Sequence, residues 1–440
     1  MPDTATESHA PQALSSRCVV LPDGEQPATV HVSNGVITAI ETYDPSFGID
    51  LGDAALLPGL VDPHVHLNEP GRTEWEGFAT GTAAAAAGGV TTLVDMPLNS
   101  SPVTTTVDAL AIKRKAAEGK LAVDVGFHAG LIPGNEGEIE RLLDAGVLGV
   151  KAFLCHSGID EFPNATEKEL RAVMPLLAER GVPLLVHAEL VHAELVDDVP
   201  PMTDPRSHAD YAASRPPSFE RDAIGLMIDL CRETGCRTHI VHLADAGSVP
   251  TLATARAEGL PLTVETCPHY LTFASQDIPD GATEYKCAPP IRDAANREGL
   301  WKGLADGVID FIASDHSPCP PEMKRRDEGR FDLAWGGISS LQLTLPIVWT
   351  EAAKRGHTLA EVVDWLCHRP TELVGVPAGI EIGKPANLVA FDTEAEQVVR
   401  GEGLQHRHKL TPYNGRTLRG VVRQAYLRGE VAQQGRGFAL

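Results

Sequence analysis

Short apolar runs alternate with stretches of helical periodicity through the middle of the chain. The eight runs that we interpret as strands end near His66, Asp95, His128, Phe153, His187, Leu243, Glu265 and Asp315. Helical periodicity follows several of them, at residues 74–87, 106–118, 167–180, 218–233 and 249–258. Eight successive β/α units favour a closed (β/α)8 barrel of the TIM type. An open doubly wound sheet is the alternative, but no G-x-G-x-x-G motif opens a helix after the first strand.

The two ends of the chain have the pattern of an antiparallel sheet. Alternating runs on both sides of Asn34-Gly35 predict a hairpin. Strand-like runs return at residues 386–391 and 421–427. We therefore predict three parts: a disordered start at residues 1–16, a small β-sandwich domain from residues 17–57 and 385–440, and the α/β barrel domain over residues 58–384.

Composition disfavours several classes of partner. The formal net charge of -23 over 440 residues predicts an acidic surface, which disfavours nucleic acid and anionic membranes. The most apolar stretch is interrupted by Gly88 and Gly89 and is not a membrane span, and we find no signal peptide. The eight cysteines form no C-x-x-C pair. We expect free thiols in a protein of the reducing cytoplasm.

Side chains that ligate metals stand at the ends of several predicted strands. His64 and His66 end the first strand, and alternation along a strand points both to one face. His187 and His242 end later strands, and Asp315 ends the eighth. The carboxyl ends of barrel strands meet at one mouth, and imidazole suits zinc and other divalent first-row metals. The sequence therefore predicts a metal centre, with Asp315 able both to hold a metal and to accept a proton.

Two of these candidate ligands have a second histidine nearby in the sequence. We prefer His187 to His192, because His192 would lie in the following helix. We prefer His242 to His239, because it stands at the strand end. Alternation puts His239 and His242 on opposite faces, so that at most one is expected to point inward.

Lys151 stands among these residues although two nearby cations would repel an ammonium. One possibility is that its head leaves the barrel. The other is a carbamate formed with CO2, an anion able to bridge two metals. Burial near cations lowers the pKa of a lysine and favours the neutral amine that would react with CO2. The residues by themselves leave both possibilities open.

Taken together, these residues resemble the cyclic amidohydrolases of the amidohydrolase superfamily, a group that includes dihydroorotases, hydantoinases and allantoinases. The resemblance extends from residues 57–62 to residues 383–389. It implies a binuclear centre with these ligands: His64 and His66 on one divalent metal, His187 and His242 on the other, a carboxylated Lys151 (N6-carboxylysine) as the bridge, and Asp315. Zinc is the metal expected, with cobalt, manganese or iron as alternatives. The resemblance also implies a homotetramer.

Within this family, the segments 65–71, 95–100, 151–158 and 314–319 resemble those of allantoinases. Dihydroorotases carry an arginine where this chain has Asn68, and that arginine pairs with the carboxylate of their substrate. Allantoin has no carboxylate before its ring opens, so a neutral amide suits it. The reaction implied is hydrolysis of a small neutral cyclic ureide, allantoin, to allantoate in purine degradation, with Asp315 as general base and acid.

Four further positions are candidates for contact with the substrate. Asn99 follows the second strand, Ser317 the eighth, and Cys287 opens a segment whose backbone contacts substrate in the family. Hydantoinases have a tyrosine where this chain has His156, and His156 could donate a hydrogen bond to developing negative charge. Structural explanations also exist: Asn99 could cap a turn, Ser317 could cap a helix, and Cys287 could be a small buried residue.

Two other functions are compatible with these motifs. The first is a hydantoinase or dihydropyrimidinase with broader tolerance of the ring. The second is a scaffold protein that has lost catalysis, although such relatives usually lack some of the ligands, and this chain keeps all six.

Overall fold

The computed structural model describes residues 12–191 and 200–440. Its strands are β1 Gln12–Leu21, β2 Gly24–Ser33, β3 Val36–Thr42, β4 Ile49–Asp50, β5 Ala55–Pro58, β6 Leu60–Val65, β7 Val90–Asp95, β8 Asp124–Phe127, β9 Ala129–Gly130, β10 Val150–Phe153, β11 Leu184–His187, β12 Thr238–Ile240, β13 Leu262–Thr266, β14 Phe311–Ile312, β15 Leu388–Val398, β16 Thr417–Leu427 and β17 Glu430–Val431. Its α-helices are α1 Phe78–Ala87, α2 Val107–Ala117, α3 Ile139–Asp144, α4 Glu167–Arg180, α5 His208–Ala213, α6 Pro217–Thr234, α7 Val249–Ala257, α8 Pro268–Thr272, α9 Ala294–Ala305, α10 Thr344–Lys354, α11 Leu359–Val363 and α12 Arg369–Val374.

Parallel strands β6 to β14 close into a barrel. Pairing runs through β6, β7 and β8 and again from β9 to β14, and β8 and β9 are two parts of one strand interrupted at His128. The ring closes where the His66 amide donates to the His316 carbonyl at 2.8 Å, next to a parallel bridge between Val65 and His316. The predicted (β/α)8 barrel is confirmed, and the strand ends therefore share one mouth.

Local signals explain why several predicted elements lie where they do. Helix α4 has the predicted bounds because Thr166 and Glu169 form a capping box at its start. Gly181 ends it with a left-handed φ of 65°. Strands β7, β10 and β11 end at the predicted residues Asp95, Phe153 and His187.

A second sheet joins both ends of the chain. Its strand order is β17-β16-β15-β5-β1-β2-β3, with β4 beside β1. Strand β5 pairs with β15 and leads directly into β6, the first barrel strand. The sheet begins with β1 at Gln12, so the prediction of a disordered start is wrong for residues 12–16, whose backbone hydrogen-bonds to β2. Residues 1–11 lie outside the described residues.

The fold also bears on the expectations for a membrane span and for the cysteines. In the described ranges, no helix combines the length and apolar character needed to cross a bilayer. All eight cysteines are unpaired, as predicted, and seven of them are buried.

Candidate metal centre

The first group of predicted ligands surrounds the carboxylate of Asp315. Its Oδ1 lies 3.3 Å from Nε2 of His64 and 3.5 Å from Nε2 of His66. Burial would raise the pKa of Asp315, but the two imidazoles more than offset it and hold the pKa at about 2. Asp315 is therefore an ionised carboxylate facing two imidazole nitrogens.

Buried hydrogen bonds fix the orientation of these imidazoles. Nδ1 of His64 contacts Oε1 of Glu265 closely, and Nδ1 of His66 donates to the carbonyl of Leu98 at 3.1 Å. With Nδ1 engaged in both rings, Nε2 is the nitrogen left for a metal. Sequence reasoning assigned no role to Glu265, although this carboxylate stands at the end of a predicted barrel strand.

His187 and His242 form the second group of ligands. Their ring centroids are 4.6 Å apart, and the ring of His242 lies 5.5 Å from that of His64. Nδ1 of His242 is buried without a hydrogen-bond partner among the described residues. Burial, reinforced by His187 and Lys151, lowers the pKa of His242 well below its ordinary value. The ring is therefore neutral, the form that binds metals.

Lys151 lies inside the barrel, on β10. Its side chain is fully buried, and its Nζ has no hydrogen-bond partner in the part of the chain that the structure describes. The alternative in which the lysine head leaves the barrel is therefore wrong. Burial lowers the pKa of Lys151 to about 8. An unpaired buried amine is costly, so this position favours a partner or a modification.

The structure corrects one part of the expectation for the neighbouring histidines His239 and His242. His239 also lies in the interior, where its Nε2 is 3.0 Å from Oε2 of Glu265. Strand β12 ends at Ile240, and His242 has a positive φ of 40°. Strand alternation does not extend to that residue, so both histidines face the interior and the expectation of only one is wrong. His192 lies outside the described residues.

A buried ion pair next to His187 was not predicted. Oε2 of Glu189 is 2.8 Å from Nε2 of His187, and its two oxygens also accept hydrogen bonds from Arg215. Burial would raise the pKa of Glu189, but Arg215 and His187 hold it well below its ordinary range. Metal-binding atoms of Cys155, His187 and Glu189 all lie within 4.8 Å of one another. The signal available in the sequence was a glutamate two residues after a ligand histidine.

A cavity of about 300 Å³ lies at this site. Its lining includes all the predicted metal ligands: His64, His66, Lys151, His187, His242 and Asp315. Its wall is completed by side chains to which the sequence analysis gave no role: Phe153, Tyr211, Arg215, Lys286 and Trp335. The predicted ligands thus converge, although they are far apart in the sequence.

The predicted substrate contacts separate into two sets. Asn99, His156 and Ser317 line the cavity. His156 stands at its exposed rim, where its side chain is 65% exposed and its Nδ1 accepts from the Gly158 amide at 3.1 Å.

Asn68 and Cys287 are buried and are not among the residues that line the cavity. Asn68 lies behind Asn99, whose amide donates to Oδ1 of Asn68 at 3.3 Å. The carbonyl of Cys287 accepts from the hydroxyl of Tyr211 at 2.8 Å, while its neighbour Ala288 lines the cavity. The side chain of Asn68 therefore does not line the cavity as expected, while the expected backbone contact of the segment that begins at Cys287 stays a prediction.

This set of donors fits a pair of divalent cations. Four imidazoles and one carboxylate share the cavity, and nitrogen and oxygen donors of this kind suit zinc and its first-row neighbours. The unpartnered Nζ of Lys151 and Nδ1 of His242 are buried groups that a binuclear centre would engage.

Comparison with known proteins agrees with this geometry. The chain is 48% identical to an allantoinase of Streptomyces avermitilis, covering 95% of this chain and 94% of that protein. It is 44% identical to an allantoinase of Saccharomyces cerevisiae, covering 95% and 94%. An L-hydantoinase (dihydropyrimidinase) from Arthrobacter aurescens superposes with a TM-score of 0.90 at 30% identity, covering 97% of each chain. A dihydropyrimidinase from Brevibacillus agri gives a TM-score of 0.87 at 27% identity, covering 98% of each. Residues 55–432 match the Amidohydrolase family, and the chain belongs to that family.

Proposed function

We propose that this amidohydrolase hydrolyses the ring amide of allantoin to give allantoate. The observation that carries the proposal is the convergence of six proposed ligand side chains on one cavity. The arginine of this cavity already forms an ion pair with a glutamate. Arg215 lines the cavity but is bonded to Glu189, so this guanidinium is not free to pair with a substrate carboxylate. Identity to relatives named allantoinase, at 44–48%, supports the same ring, since the solved hydantoinases and dihydropyrimidinases cited above are 27–30% identical.

Two divalent metals are part of this proposal, with zinc preferred and cobalt, manganese or iron as alternatives. The residues that would hold them are His64, His66, His187, His242, Asp315 and a Lys151 carboxylated by CO2. When bound, such ions lower the pKa of water and polarise a carbonyl. The buried, unpartnered Nζ of Lys151 supports the carboxylation, because an anion there would attract divalent cations where an ammonium would repel them.

Asp315 would move the proton. Its carboxylate faces the cavity, and the imidazoles of His64 and His66 at 3.3 and 3.5 Å keep it ionised and oriented. It can therefore accept the proton of the attacking water and pass it to the leaving ring nitrogen.

Hydrogen bonds from the wall would orient the ring. Asn99 and Ser317 line the cavity, and their amide and hydroxyl groups are of the type that pairs with ring amides. Asn68 would act through Asn99. His156 could donate a hydrogen bond to the intermediate, but its exposure makes that bond weaker than a buried one.

A substrate panel tests the proposal directly. Purified, metal-loaded protein is assayed with allantoin, 5-substituted hydantoins and dihydroorotate. We expect allantoin to have the highest kcat/KM. A clear preference for substituted hydantoins would instead favour a hydantoinase. A protein that binds no stoichiometric metal and turns over none of the three would be a scaffold.

Carboxylation of Lys151 is tested by metal reconstitution. Metal-free protein is reloaded with and without bicarbonate in CO2-depleted buffer. We expect two metals per chain and full activity only with bicarbonate. Equal recovery without bicarbonate would contradict the bridging role.

We also propose a cytoplasmic homotetramer. Eight unpaired cysteines fit a reducing compartment. Light scattering of the purified protein tests the tetramer.

A further inference from the structure

Lys286 is a cation of the cavity wall that forms no ion pair with a carboxylate of the described residues, although the charge of Asp332 partly offsets the lowering of its pKa. Its Nζ donates to the carbonyl of Ala334 at 2.6 Å and lies 5.1 Å from the centre of the Tyr211 ring. Both of these neighbours also line the cavity. Among residues 12–191 and 200–440, no aspartate or glutamate oxygen lies within 4.0 Å of this nitrogen. The other cation of this part of the wall, Arg215, is bonded to Glu189.

The position of Lys286 separates it from the metal ligands. Successive contacts lead from His187 to Glu189 and Arg215, and the next side chains along the wall are Tyr211 and Lys286. Lys286 therefore lines the same cavity as the six proposed ligands, while its own contacts are with Ala334 and Tyr211.

The backbone around Lys286 is held firmly. Its carbonyl accepts from the Gly337 amide at 2.8 Å. Lys324, which is buried, donates to the carbonyls of Trp335 at 2.9 Å and of Gly337. A donor on such a support is preorganised for an acceptor in the cavity.

The ammonium of Lys286 has donors to spare. A lysine carries three N–H donors, and one hydrogen bond to a described residue is present. Desolvation, reinforced by Lys324 and Arg215, lowers the pKa of Lys286 to about 8. A ligand oxygen beside the ammonium would restore the lost solvation.

We propose that Lys286 recognises the carbonyl oxygen of the ureido group that projects from the hydantoin ring of the substrate. The inference rests on the proposed function and deepens it. The ligand class is a hydantoin whose C5 substituent carries an uncharged acceptor. Metal ligands, Asn99 and Ser317 face the ring itself, so Lys286 distinguishes allantoin from hydantoins that lack such a substituent.

The experiment compares allantoin with unsubstituted hydantoin, which has the ring without the ureido group. Metal-loaded wild type, K286M and K286Q are assayed with both compounds. Hydantoin is also measured as a competitive inhibitor, so that slow turnover does not prevent the comparison. K302M, at an exposed lysine paired with Asp306, is the matched control.

For K286M we expect kcat/KM with allantoin to fall about 10- to 100-fold, the range for loss of a hydrogen bond to a charged group. The inhibition constant of hydantoin should change by less than about threefold, and K286Q should lie between K286M and wild type because it keeps a neutral donor. K302M should match wild type for both compounds.

Three results would overturn the inference. Equal losses for allantoin and hydantoin would mean that Lys286 only supports the loop at Ala334. Unchanged allantoin kinetics in K286M would mean that it contacts nothing in the substrate. Tighter binding of hydantoin-5-acetate than of allantoin, lost in K286M, would assign it to a carboxylate. Wild type without any allantoin turnover would instead refute the proposed function, and this inference with it.

Discussion

Replacing Glu189 by glutamine removes one buried negative charge beside His187, a proposed metal ligand, at nearly constant volume. The two oxygens of Glu189 accept hydrogen bonds from Nε2 of His187 at 2.8 Å, from Nε of Arg215 at 3.1 Å and from a second nitrogen of Arg215. Glutamine offers one acceptor oxygen, and its NH2 group would face one of these donors. The substitution therefore leaves Arg215 without its counterion and His187 without the group that fixes its ring.

The size of the effect follows from burial. Removing one partner of a buried ion pair costs about 3–5 kcal/mol because the other charge stays uncompensated. Glu189 is fully buried, but the Arg215 side chain is 25% exposed. Water can therefore reach the orphaned guanidinium, and we expect the lower end, about 3 kcal/mol of unfolding free energy. Loss of the group that orients a ligand histidine typically weakens metal binding about 10- to 100-fold.

Two measurements check this prediction. Urea denaturation of chelator-treated protein gives the stability term, and metal titration gives the affinity term. E167Q is the matched control, because Glu167 is exposed in its pair with Arg171 and should change stability by less than about 0.5 kcal/mol. The double variant E189Q/R215M should lose less than the sum of the two single variants, since no charge is then left alone. Wild-type stability and wild-type metal affinity in E189Q would refute the reasoning.

Three further predictions follow from other contacts. D315N should lower kcat about 10²- to 10⁴-fold, the range for loss of a proton-transfer group; steady-state kinetics with normal folding checks this. N99A should lower kcat/KM about tenfold, as for a lost hydrogen bond, and N68A should add little to N99A because Asn68 acts through Asn99; additive losses would contradict this. Burial lowers the pKa of His208 to about 4, and neither of its ring nitrogens has a partner among the described residues. A folded-state pKa below the ordinary value of 6.5 means that stability is lost as the pH falls from 6.5 to 4. H208F should remove about 3 kcal/mol of that loss, measured by denaturation of metal-free protein at both pH values.

The convergence of the candidate metal ligands was predictable because the parallel strands of a barrel bring residues that are distant in the sequence to one mouth. A side chain just after an apolar run lies at the carboxyl end of a strand, and all such ends meet at one mouth. His64, His187 and Asp315 were found in this way. The chemical type of these side chains then indicated a metal site, since imidazoles and a carboxylate at one mouth suit a divalent metal.

What sequence reasoning missed depends on loops and on backbone geometry. His242 adopts a positive φ that no strand pattern indicates, so strand alternation could not predict that His239 and His242 both face the interior. Glu189 and Arg215 pair across 26 positions, and Arg215 lies in the connection between α5 and α6. The paths of the loops that carry Asn68 and Asn99 decide which of these two side chains lines the cavity. Spacing along the chain carries none of this information.

Substitution should have different consequences at the proposed metal ligands and at the other residues of the cavity wall. This difference bears on substrate specificity. Proposed ligands such as His64 stand on barrel strands and are bonded to buried partners such as Glu265, so we expect substitution there to alter folding and chemistry together. His156 and Lys286 stand on loops and are exposed or half-buried, so they can change at little cost in stability. A hydantoinase that superposes with a TM-score of 0.90 at 30% identity shares the barrel and the sheet domain. Comparison of folds therefore does not distinguish the substrates of two such proteins, and kinetic comparison of variants in the cavity wall is the measurement that assigns the ring.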